Sequence, residues 1–93
     1  MRDTNIVRPN GKKIAELRKS CGLTQEQLSS ETGYSVRLVG KAEQSKEVRY
    51  SSVIAIATAL QRFGIQVSAT ELCTDPEEVV RQFVEAYRIH EAG

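Results

Sequence analysis

The sequence predicts an all-α fold: five short helices between residues 11 and 73, then an amphipathic helix over residues 74–93. Three observations carry this prediction. Apolar residues recur at spacings of three and four, the helical period. Start signals stand at Thr24, Ser35, Ser68 and Asp75, and glycine stops at Gly22, Gly33 and Gly64. No segment alternates well enough to read as a strand, although residues 65–68 suit an extended stretch.

The first ten residues are polar and read as a flexible N-terminal arm. Helix one follows over residues 11–21, with Ile14, Leu17 and Cys21 on one face and Lys12, Lys13, Glu16, Arg18 and Lys19 between them. Gly22 ends it. Helix two opens at Thr24, an N-cap with Gln27 three residues on, which is the capping-box pattern; Leu23 and Leu28 are spaced to staple the entry. It stops at Gly33, which accepts the positive φ that a tight turn requires.

Ser35 caps helix three. Val39 and Ala42 face inward, Leu38 is expected half-exposed, and Arg37, Gly40 and Lys41 share the outer side. Gly40 in mid-helix costs about 1 kcal/mol relative to Ala, so its presence beside two cations asks for a reason. Residues 44–52 read as a polar loop, with Ser51 and Ser52 as caps for a long apolar helix over residues 53–63. Val53, Ile56, Ala57 and Leu60 form its buried face, Ala55 and Ala59 allow close packing, and Gly64 ends it. Ser68 and Glu71 form a second capping box, with Leu72 directed to the core. Asp75, Pro76, Glu77 and Glu78 make a further helix start, followed by an apolar stripe of Val79, Val80, Phe83, Val84 and Tyr87.

Composition narrows the function. The 93 residues are 40% hydrophobic and 27% charged, with net charge +1, which suits one small helical domain and argues against disorder. Residues 1–50 carry 10 Lys/Arg against 6 Asp/Glu, and residues 51–93 carry 3 against 6. A basic half joined to an acidic half suits a face that meets nucleic acid. Nothing resembles a membrane span or a signal peptide, and Cys21 and Cys73 are read as reduced thiols, so a cytoplasmic protein is expected. No carboxylate pair, metal cluster, phosphate loop or nucleophile–base set stands at meaningful spacing, and His90 lies near the chain end without partners. No enzyme, metal or cofactor is implied.

The segment over residues 24–43 holds two short helices meeting at Gly33, an arrangement that presents the start of the second helix outward. Ile14, Leu17 and Arg18, then Gly22, Leu23, Thr24 and Gln25, then Leu28, Gly33, Ser35, Val39 and Glu43, and last Ile56, Ala57, Leu60 and Leu72, together resemble the lambda-repressor/Cro-like helix-turn-helix domain of the XRE family. The resemblance covers about residues 11–72. It implies double-stranded DNA as partner, a transcriptional regulator as function, and a homodimer. By this resemblance Gln25 and Ser35 contact phosphate, Val36, Arg37, Gly40 and Lys41 occupy base-reading positions, and Glu43 is structural, bonding Arg18. Arg49 is a further phosphate contact, and Lys12 and Lys13 add nonspecific attraction.

Two departures stand out. Ser29 replaces the family's usual Ala, and Ala42 its usual Ile. A sparse reading face at Val36, Leu38 and Gly40 keeps a second reading open: an antitoxin-like or protein-interaction module with little sequence reading. The C-terminal stretch resembles the first helix of SnoaL-like domains, so residues 74–93 stand as a dimerisation or docking helix, or as the start of a truncated second domain that takes an effector or ligand.

Overall fold

The computed structural model describes residues 5–82 and 84. Element order is β1 (Ile6–Val7), α1 (Gly11–Ser20), α2 (Gln25–Thr32), α3 (Val36–Glu43), β2 (Val48–Arg49), α4 (Tyr50–Arg62) and a 3₁₀ helix (Thr70–Leu72). A helical run follows from residue 76. The fold is the expected mostly helical one, with a two-residue antiparallel ribbon added.

The local signals act as read. One cap was not expected: Asn10, in the segment read as an arm, starts α1 by accepting from the Lys13 amide at 3.1 Å. Gly22 follows the helix with φ 74°. Thr24 and Gln27 close a reciprocal capping box at 2.8 and 3.0 Å. Gly33, with φ 79°, ends α2. Ser35 caps α3 by accepting from the Leu38 amide at 3.2 Å. Ser68 and Glu71 bond reciprocally at 2.7 and 3.3 Å ahead of the 3₁₀ turn. Asp75 accepts from the Glu78 amide at 3.1 Å.

The core forms where these helices converge. Ile14, Leu28, Val39, Val53, Ile56, Leu60 and Leu72 are fully buried, and Ala42 and Ala59 let the backbones approach. Each large side chain contributes roughly 1.5–3 kcal/mol of burial free energy. Leu38 is half-buried as expected.

Three features differ from expectation. Residues 5–10 are not an arm: Ile6 pairs with Arg49 and Val7 with Val48, the Tyr50 amide donates to the Asn5 carbonyl, and Val7 and Pro9 are buried. On their other side, Pro9 bridges Cys73, and the Asn10 amide donates to the Leu72 carbonyl. Apolar side chains and backbone bonds on both edges hold the segment, which a polar composition did not foretell. Residues 1–4 lie outside the described residues.

The polar loop over residues 44–52 likewise contains β2, and α4 begins at Tyr50. Ser51 and Ser52 are therefore inside the helix and Arg49 holds the cap position, without a side-chain cap bond. Pairing with β1 ends the extended stretch at Arg49, so the helix starts there. Lastly, the C-terminal stripe divides. Val79 is buried against the core, while Val80 and Val84 are exposed. The side chain of Phe83, together with Tyr87 and His90, lies outside the described residues.

Candidate nucleic-acid interface

The site is built on α3 and held from behind by charge. Arg18, on α1, donates through Nε to Glu43 Oε2 at 2.6 Å and through its second terminal nitrogen to Oε1 at 3.1 Å. Its remaining nitrogen donates to the Leu23 carbonyl at 2.8 Å. The two side chains are only 10% and 7% exposed. The hydrogen bond to Glu43 raises the Arg18 pKa above its ordinary value, against the opposing effect of burial, with the charges of Glu43 and Glu26 adding to the rise. A planar guanidinium matched to a carboxylate in this way fixes the angle between helices as well as their separation.

Gln25 joins this pair. Its amide Nε2 donates to Glu43 Oε1 at 2.9 Å. The first residue of α2, α1 and the last residue of α3 thus share one carboxylate. Gln25, expected to be free for phosphate, is half-buried with one amide hydrogen spent internally. An amide nitrogen carries two hydrogens, so one donor remains.

A second constraint acts at the same helix end. A Cβ placed on Gly11 would meet the Glu43 carbonyl oxygen at 2.1 Å and Ser45 N at 2.8 Å. The Gly11 amide also donates to Ser45 Oγ at 2.9 Å, and Ser45 adopts φ 60°. The start of α1 therefore abuts the end of α3 backbone to backbone. Helical spacing alone gives Gly11 only a place at the start of helix one; its role depends on a tertiary contact.

With Val39 and Ala42 buried and Glu43 engaged, the outer stripe of α3 is Val36, Arg37, Gly40 and Lys41. Val36 is 40% exposed, and Arg37 and Lys41 are exposed. A Cβ on Gly40 would have Gln25 Oε1 as its nearest neighbour at 3.9 Å, an ordinary contact. Gly40 is not required by packing: a methyl group there would make only an ordinary contact with the Gln25 side chain. Ser35 uses its oxygen as an acceptor in the cap and keeps its hydroxyl proton for an outside partner.

Val36, Arg37, Gly40 and Lys41 lie along the length of α3, with Ser35 at its N-cap and Gln25 bonded to Glu43 at its opposite end. Arg49 is exposed but belongs to the ribbon, opposite Ile6, and among the described residues no hydrogen bond or ion pair joins it to the α3 stripe. Just past α3, Gln44 and Lys46 are also exposed, and the Lys46 amide donates to the Lys41 carbonyl at 3.1 Å. Their proximity to Lys41 in sequence was the available signal for extending the basic edge. Among the described residues no three His, Cys, Asp or Glu gather as a metal site, and no helix is long and apolar enough to cross a membrane.

Comparison with protein families matches the chain to the helix-turn-helix family over residues 14–62, more than half of the chain. The match runs from α1 to the end of α4 and includes the whole α3 stripe. Neither the curated proteins nor the solved structures contain a match.

Proposed function

We propose, from the premise that this chain belongs to the helix-turn-helix family of the XRE, lambda-repressor-like kind, that it is a cytoplasmic transcriptional regulator binding double-stranded DNA sequence-specifically. Helix α3 lies in the major groove, with Arg37 as the main base reader. The observation that carries the reading is the division of α3. One face is wholly consumed by the core and by the Arg18–Glu43 pair, and the other offers two exposed cations, one exposed apolar side chain and a glycine.

That stripe has the chemistry of a major-groove reader. Arg37 can pair with the two acceptors of a guanine, and Val36 suits a thymine methyl. Ser35, Gln25 and Lys41 supply hydrogen bonds that set register on phosphates, and Arg49 does so from the ribbon. Glycine at position 40 lets the groove wall approach the Gln25 amide. The protein acts as a two-fold dimer on half-sites about one helical turn apart. Exposed Val80 and Val84, one turn apart on the C-terminal helix, support a contact between copies.

The test is selection of bound sequences from a random duplex pool, with solution mass measured on the same sample. A palindromic half-site, a dimer mass and a specific-over-nonspecific ratio of at least about 10³ are expected. Absence of salt-dependent binding to any duplex would overturn the reading in favour of a protein-interaction module.

A further inference from the structure

The turn between α2 and α3 is tied down more heavily than a glycine turn needs. Ser29, the residue that replaces the family's usual alanine, donates its hydroxyl to the Tyr34 carbonyl at 2.5 Å. The Tyr34 amide donates to Thr32 Oγ1 at 3.0 Å, and the Thr32 hydroxyl donates to the Ser29 carbonyl at 2.9 Å. The Gly33 amide reaches the same Ser29 carbonyl at 3.0 Å. Two α2 hydroxyls therefore satisfy both backbone polar groups of Tyr34. With its backbone held at both ends, the direction in which its Cα–Cβ bond leaves the turn is set.

Tyr34 is 38% exposed despite this anchoring. It directly precedes the Ser35 cap, where a large side chain is placed to staple toward the fourth helical residue, here the fully buried Val39. A staple alone calls for an apolar side chain. Tyrosine adds a hydroxyl at the end of a stiff ring with two torsions, so a hydrogen bond formed there orders little.

We propose that Tyr34 is a further DNA-contact residue, its phenol hydroxyl donating to a backbone phosphate at the groove edge beside the start of α3, and that Ser29 is the positioning residue that aims it. This rests on the proposed reading of α3 as a DNA-recognition helix. The contact is a neutral hydrogen bond to phosphate, so it adds affinity without reading sequence and without releasing a counterion.

The experiment measures duplex binding across a salt series for the full chain and for Tyr34→Phe, which keeps the ring, with thermal unfolding of each as a folding control. The probes are the selected duplex and a panel of its single-base variants. Tyr34→Phe is expected to weaken binding about three- to tenfold, equally on every duplex, with the slope of log affinity against log salt unchanged. Ser29→Ala is expected to lose part of the same affinity, and Ser29→Thr, which keeps the hydroxyl, to lose less. Wild-type affinity for Tyr34→Phe at every salt concentration would overturn the proposal, and so would a loss confined to one base position. If the wild-type chain itself binds no duplex, the reading of α3 falls and this inference falls with it; if the wild type binds and Tyr34→Phe matches it, only this inference falls.

Discussion

Glu43 accepts from two of the three guanidinium nitrogens of Arg18, while its Oε1 also accepts from the amide of Gln25. An ion pair this buried is held by geometry rather than by raw attraction, because removing both charges from water costs nearly what their pairing returns. Losing one partner is another matter, since it strands the other charge. Arg18→Met and Glu43→Leu are each expected to cost about 3–5 kcal/mol in urea unfolding. The double variant is expected to cost far less than the sum of the two. Additive losses in that cycle would mean that the two side chains act separately.

Two helical glycines should respond in opposite ways. At Gly11 a methyl group would collide with the Glu43 carbonyl and Ser45 N, both backbone atoms. Gly11→Ala is expected to destabilise by about 2–3 kcal/mol, since α1 must move off α3. At Gly40 the nearest neighbour of the same methyl is Gln25 Oε1 at ordinary contact distance. Gly40→Ala is expected to stabilise by about 0.5–1 kcal/mol through helix propensity. If close approach to the groove is the reason for glycine there, the same variant binds DNA more weakly although it is more stable. A Gly40→Ala protein that gains stability and keeps full affinity would remove Gly40 from the interface.

These contrasts mark what was legible in the sequence. Thr24, Ser35, Ser68, Asp75 and Gly33 announce helix ends because caps and stops act on residues three or four positions away. Core residues such as Ile14, Val39 and Leu60 follow from helical spacing. The ribbon was not legible, because Ile6–Val7 and Val48–Arg49 are each two residues long and pair across most of the helix-turn-helix unit. Gly11 looked like an ordinary first helical residue because what it touches is the far end of α3. The face of Gln25 that Glu43 occupies was hidden for the same reason.

Cys73 supplies a pH dependence. The residue is 4% exposed, its thiol lies 3.5 Å from the Ala69 carbonyl, and burial pushes its pKa up from 9.0 to about 11. The folded chain thus holds this proton more tightly than the unfolded chain does. The associated stability is fully present below the unfolded thiol pKa and is lost as pH rises through about 11. Burial raises the pKa of Tyr50 as well, which adds in the same direction at the alkaline end. Unfolding free energy is expected to fall between pH 9 and 11, and less steeply in Cys73→Ala. An identical slope in that variant would assign the whole effect elsewhere.

Arg37 and Arg49 separate base reading from phosphate positioning. Both are exposed, but Arg37 lies in the first turn of α3 and Arg49 lies on the ribbon. A bidentate arginine–guanine pair gives about 1–3 kcal/mol of discrimination, so Arg37→Ala is expected to weaken the selected site and relax one base position. Arg49→Ala is expected to weaken all duplexes alike and to reduce the salt slope by about 0.9, the value for one neutralised phosphate. Lys41 is the informative intermediate, because it follows Arg37 by one turn and is exposed. Its alanine variant would show the Arg37 pattern if Lys41 reaches a base and the Arg49 pattern if it reaches a phosphate. A selected site bound equally well after Arg37→Ala would take base reading away from Arg37.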